Sequence, residues 1–432
     1  MAQKKIGFWS VVAVGIGGMV GGGIFAVLGL SVQIAQGGAP IAFAIAGAIA
    51  LLTSYSYAQL SVAFPSRGGT VMFLNKAFGT GLFTGSMNLL LWISYVVMLA
   101  LYASAFGSYG AKLTPWLGEA VAKHILVNGI IILITALNFM SAELIGKAET
   151  WIVCLKLLIL GLFIVIGIRG VSVSNIEPSA WASPISVISG GMIIFLAYEG
   201  FELMANSAED VNSPEKTLPK AYYFTAAFVI VLYILIAIVA VGSLSVDAIV
   251  KANEYALAAA AKPFMGQFGF TLISIAALLS TASAINATLY GTSRLTYIIA
   301  KSGELPKTLE KKVWSQPAEG LLITSALALL MANFFDLSGI STMGSAGFLL
   351  IFAVVNFANV KLHKQTNSQR WISFLGVIAS VAAMVILLGY VAGNNPQNLW
   401  VVAVMVAISF IGEYVYRNIA NREIALEDSS KK

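Results

Sequence analysis

Gly15-Ile16-Gly17-Gly18-Met19-Val20-Gly21-Gly22-Gly23-Ile24-Phe25 puts six glycines into nine positions at the centre of an apolar run over 8–34. Each glycine costs a helix about 1 kcal/mol relative to alanine, so the run is expected to be interrupted near its middle. Gly17 and Gly21, like Gly18 and Gly22, also have the spacing of a small-residue packing stripe, but Gly21-Gly22-Gly23 goes all the way round a helix rather than marking one face. Backbone freed from a helix at membrane depth is tolerated where it lines a cavity or is packed in protein.

Composition places that run in a membrane. Of 432 residues, 59% are hydrophobic and 10% charged, against about 25% charged in soluble domains, too few to cover a water-facing surface. The expected fold class is an all-α multi-pass membrane protein, because segments of roughly 20 apolar residues cross the hydrocarbon layer. Twelve such segments are read, at about 8–34, 40–64, 80–108, 124–142, 147–168, 186–207, 218–242, 266–300, 318–334, 340–360, 371–391 and 398–417. Lys4 and Lys5 precede a stretch too long for a cleavable leader, so the first span is expected to stay. With the N-terminus inside, nineteen of the 25 Lys and Arg fall in inside segments and five outside. Both termini are therefore expected to be cytoplasmic. The polar stretch Lys301–Glu319 reads as a loop and Asn421–Lys432 as a frayed tail. The net charge of +6 is scattered through loops, which speaks against a nucleic-acid partner. One cysteine, Cys154, and two histidines, His124 and His363, make no disulfide frame and no metal site, and no cofactor is expected.

A second interruption is read in the sixth segment, Phe195-Leu196-Ala197-Tyr198-Glu199-Gly200-Phe201-Glu202, at Gly200. Paired interruptions in corresponding spans of two halves are the sequence sign of an inverted repeat. Five spans separate the starts of the two interrupted segments. The expectation is a 5+5 repeat, 8–168 and 186–360, with 371–417 as two appended helices, all in one integral membrane domain. A 6+6 arrangement would need an interruption in the seventh span, which carries none.

The glycine-rich stretch Gly17-Gly18-Met19-Val20-Gly21-Gly22-Gly23-Ile24-Phe25 resembles the first-helix signature of the amino acid, polyamine and organocation permeases. The likeness extends along nearly the whole chain. Trp151-Ile-Val-Cys-Leu-Lys156-Leu-Leu-Ile-Leu-Gly-Leu-Phe163, Ala261-Lys-Pro-Phe264, Asn286-Ala-Thr-Leu-Tyr-Gly291 and Gly303-Glu-Leu-Pro306 resemble its proton-coupled members. The resemblance implies a LeuT-type fold with helices 1 and 6 interrupted. It implies a substrate carboxylate held by the amides of Gly22 and Gly23 next to Gly21, with the carbonyls of Met19, Leu196 and Glu199 facing the ammonium. Phe195, Tyr198, Gly200 and Phe201 are candidates for the pocket, the aromatics competing with a plain packing role. The small hydroxyl residue usual in the signature is replaced by Gly22, and Glu199 stands where the family is often apolar or neutral, so side-chain specificity does not carry over.

Lys156 is the sharpest single residue. Seven residues beyond Glu149, at about 1.5 Å of rise each, it lies about 10 Å deeper in the layer. A lysine there either snorkels to the headgroups or is functional. The resemblance places its ammonium where sodium-coupled relatives bind sodium, with the carbonyl of Gly17 and the hydroxyl of Ser280 as partners and Ser283 as an alternative. Since taking an ammonium out of water favours its neutral form, the residue is expected to couple transport to protons. Glu199 is assigned to the pocket and Glu202 to a gate or pH response, on the expectation that the helix does not continue through Gly200; bonding to freed backbone amides is the structural alternative for both.

The function expected is alternating-access, proton-coupled, sodium-independent amino-acid transport in the cell membrane, with amino acid, protons and membrane lipid as partners. Polyamine or organocation transport or exchange on the same fold is the alternative, and a membrane sensor or receptor is the alternative of another class. HExxH, GxSxG and paired-Asp protease motifs are missing from the chain, which argues against an enzyme. Oligomeric state is left open.

Overall fold

The computed structural model describes residues 6–140, 142–301 and 318–420, excepting the side chains of 140, 142–150, 318 and 420. Residues 302–317 and 421–432, on which the readings of a loop and a frayed tail fall, lie outside the described residues.

The described chain is helical. In order the α-helices are α1 (Phe8–Met19), α2 (Gly23–Ala35), α3 (Ala39–Ala63), α4 (Thr70–Phe78), α5 (Leu82–Leu113), α6 (Glu119–Met140), α7 (Ala142–Gly167), α8 (Pro184–Ile193), α9 (Pro214–Ser243), α10 (Val246–Ala252), α11 (Ala256–Lys301), α12 (Ala318–Phe334), α13 (Leu337–Leu362), α14 (Arg370–Asn394) and α15 (Pro396–Ala420). A 3-10 helix, Phe195–Asp210, follows α8. Starts and bends have local causes. Asp336 caps α13 by accepting from the Gly339 amide at 2.8 Å. Ser183 accepts from Ser186 N, with Pro184 in the first turn of α8. In α11 the kink falls at Gly266, whose φ of +61° suits a residue without a Cβ.

Among the described residues, nine helices are long and apolar enough to cross a membrane. Eleven spans result when two bent pairs each count once, α1 with α2, and α8 with the 3-10 helix that follows it. The ninth apolar segment forms α12, only 17 residues long. The bundle is built on α5 and α13, whose apolar windows are 89% and 83% buried, whereas those of α14 and α15 are 28% and 22% buried. The outer helices turn Trp371, Phe374, Ile378, Val385 and Trp400 outward. An apolar rim of that extent suits lipid and not water, which makes this an integral membrane protein. Within the bundle α3 packs on α9, α5 on α11, and α1 on both the 3-10 helix and α9, so both broken spans lie in the interior.

Candidate substrate and coupling site

The first span breaks where its glycines crowd: α1 ends at Met19, α2 begins at Gly23, and the two are bent by 45°. The amide of Val20 still closes the last turn of α1 on the Ile16 carbonyl at 2.8 Å. None of the glycines here has a positive φ, so their conformational freedom is not what the site requires. Close approach is. A Cβ on Gly18 would come within 2.8 Å of the Gly200 carbonyl oxygen, one on Gly23 within 2.8 Å of Ala197 Cα, and one on Gly22 would overlap Tyr102 Cδ1. The glycines thus serve the break and the packing at once, on three sides.

In the sixth span the break precedes the expected place. α8 ends at Ile193, Ile194 is the junction, the bend is 40°, and Phe195–Asp210 runs on through Gly200 as one 3-10 helix. Hydroxyls from α13 hold the junction. Ser341 Oγ and Ser345 Oγ donate to the Ile193 carbonyl at 2.6 and 2.9 Å, and Ser345 Oγ accepts from the Leu196 amide at 3.1 Å. Orphaned helix-end groups need such partners when buried. The expectation of a break at Gly200 is therefore corrected. Gly200 is glycine because a Cβ there would overlap the backbone atoms Gly18 C and Met19 N. One side chain ties both breaks together, since Tyr233 OH donates to the Met19 carbonyl at 2.6 Å and to the Ala197 carbonyl at 3.4 Å.

Lys156 is 1% exposed and its Nζ donates to the Gly17 carbonyl at 3.2 Å. It belongs to the inward face of α7, while Trp151, Leu155 and Leu158 cover the outer face. The Gly17 carbonyl lies in the last turn of α1, the negative end of that half-helix dipole, where a cation is favoured. Ser280 of α11 donates to the carbonyls of Val20 at 2.9 Å and Gly21 at 2.6 Å, holding the backbone between the half-helices. Ser283, three residues on, is buried on the same helix.

The separation of Glu199 from Glu202 also needs correction. In a 3-10 helix residues i and i+3 eclipse, so with the helix continuous through Gly200 the two acids share a face and their carboxyl groups adjoin. Tyr102 OH donates to Glu199 Oε1 at 3.3 Å, and Tyr57 OH donates to Glu202 Oε2 at 2.9 Å. Of the pocket aromatics, Phe195 and Phe201 pack against Phe352 with ring centroids 5.9 and 5.3 Å apart. Tyr198 donates to the Phe43 carbonyl at 3.0 Å. A narrow cleft of about 10 Å³, lined by Gly68, Thr70, Tyr95, Leu203, Asn206 and Thr292 among others, approaches from the end of the bundle that holds Ile6 and Asp210. That volume is roughly one water molecule.

Tyr57, Tyr102 and Tyr233 escaped the reading of the sequence. The available signal was a tyrosine inside a long apolar span, whose hydroxyl must find a partner when buried.

The sequence profile of the amino acid permease family matches residues 6–411. An uncharacterized protein of Methanocaldococcus jannaschii is 38% identical over 424 residues, covering 98% of this chain and 97% of that protein. The inner membrane transport protein YbaT of Escherichia coli K12 is 31% identical, covering 96% and 97%. The methylthioribose transporter of Bacillus subtilis is 26% identical, covering 89% and 87%. A profile match over nearly the whole chain, joined to a bundle with two broken spans, leaves one assignment: the chain belongs to the amino acid permease family of the amino acid, polyamine and organocation superfamily.

Proposed function

We propose that this permease carries amino acids by alternating access, coupled to protons and independent of sodium. The observation that carries the reading is the Lys156 ammonium on the Gly17 carbonyl, one residue from the point where the two broken spans meet at Gly18 and Gly200. An amino-acid zwitterion needs a donor set for its carboxylate and an acceptor set for its ammonium. The start of α2 at Gly23 offers free amides and the positive end of a helix dipole, and the end of α1 at Met19 offers carbonyls and the negative end. Protonated Lys156 holds α1 against α7 through Gly17. Neutral Lys156 donates a weaker bond and carries no charge for the dipole, so the half-helix is free to tilt as the site changes sides. The Met19 carbonyl is occupied by Tyr233, which would have to yield it, or share it, when the ammonium binds.

Counting α12 as a short span gives twelve, arranged as the 5+5 repeat with two appended helices, both termini in the cytoplasm and the protein in the cell membrane. This arrangement is part of the same proposal.

The carboxylate site is tested by competition. An amino-acid amide keeps the ammonium and side chain but loses the anion, and a hydrogen bond to a charged group is worth about 1.5–3 kcal/mol. The amide should therefore compete about ten- to a hundredfold more weakly than its parent amino acid for binding to the purified protein. Equal competition, or preferential binding of a neutral thio-sugar, would remove the carboxylate from the account.

A further inference from the structure

The two acids on the 3-10 helix are buried, Glu199 at 2% and Glu202 at 1% exposure, and their described hydrogen bonds come from phenols. Tyr102 serves Glu199 Oε1 and Tyr57 serves Glu202 Oε2, with Tyr95 also beside Glu202. One oxygen of each carboxyl group, Glu199 Oε2 and Glu202 Oε1, has no hydrogen-bond partner among the described residues. Native interiors pair such atoms. Two ionised carboxylates side by side would repel each other and leave both oxygens bare, and a second proton adds a hydroxyl with no acceptor inside the pair. A proton held between Glu199 Oε2 and Glu202 Oε1 would make one O–H···O⁻ bond and satisfy both oxygens, a charge-assisted bond of the strong class.

We propose that Glu199 and Glu202 share one proton and form a second proton-binding site, distinct from Lys156. α1 lies between the two sites, with Gly17 facing Lys156 and Gly18 facing Gly200. Among the described residues, the titratable groups around the pair are Tyr57 from α3, Tyr95 and Tyr102 from α5, and, further off, Tyr222 and Tyr233 from α9. α1, α2 and α8 carry no ionisable side chain, while Lys76 of α4 and Lys361 of α13 point outward. The proton has a route, because Tyr57 OH also bonds Thr70 Oγ1 at 2.8 Å, and Thr70 and Tyr95 both line the narrow cleft.

The test is infrared spectroscopy of the purified full chain in liposomes at pH 7, with and without carboxyl-labelled glutamate, to find the label-sensitive C=O band of a protonated acid. The expected result is a band equivalent to one carboxylic acid per chain. Glu199→Gln and Glu202→Gln should each abolish it entirely, since a glutamine N–H replaces the shared proton as donor to the remaining carboxylate. The wild-type band intensity needs no variant, so misfolding of either one leaves the count standing. No band, a band of two acids, or a band surviving in a folded single variant would overturn the shared proton. Lys156→Ala should keep the band, which separates this site from the coupling proposed for the lysine.

Discussion

Lys156→Ala should abolish uphill accumulation of amino acid in proteoliposomes, bringing the internal concentration down to the external one however steep the imposed proton gradient. The ammonium on the Gly17 carbonyl is the group proposed to bind and release the coupling proton, and alanine has nothing to titrate. Lys156→Arg should fail as well. Guanidinium keeps its proton in proteins and presents a planar fork in place of a compact ammonium. Loss in the alanine variant alone would fit a lysine that only packs, so the arginine variant carries the argument about proton release. Full gradient-driven uptake by either variant would show that Lys156 is not the coupling group.

The largest structural effect is expected at the contact between the broken spans. Gly200→Ala drives a methyl group into Gly18 C and Met19 N, and because both are backbone atoms no rotamer change can relieve the clash. Overpacking of a rigid site costs about 1–3 kcal/mol, and here the strain falls on the junction that would hold the substrate. The variant should melt earlier in detergent and lose substrate binding. Gly161→Ala in α7 is the control, since nothing lies within 4 Å of its added methyl; it should melt at or slightly above the wild-type temperature, alanine being the better helix former. Equal behaviour of the two variants would mean that the spans do not meet as described.

These two positions mark how far the sequence could be read. The spans were legible because apolar length is dictated by the bilayer, and the first break because glycine density there exceeds what a helix tolerates. Lys156 stood out as a lone charge in an apolar run, and the family signature gave it a location. The second break is misplaced in sequence because Gly200 reads as a helix breaker, whereas its role is to admit the backbone at Gly18. The actual junction at Ile194 has no local mark: the hydroxyls that stabilise it come from Ser341 and Ser345, 148 and 152 residues from the Ile193 carbonyl they bind. The same holds for the tyrosines around the site. Tyr102 and Glu199 are 97 residues apart and Tyr233 and Met19 are 214 apart, pairings that only the packing of α5 and α9 brings together. Once the 3-10 helix is continuous, Glu199 and Glu202 fall on one face, and two separately assigned acids become one buried pair.

Proton-coupled amino-acid transport is tested most directly by radiolabelled amino-acid uptake into proteoliposomes in sodium-free buffer, with a proton gradient imposed and then collapsed by a protonophore. Accumulation above equilibrium is expected while the gradient lasts, with its loss when the protonophore is added and no stimulation by sodium at constant pH. Accumulation that strictly requires sodium at constant pH, or that persists after the proton gradient has been dissipated, would rule out proton coupling.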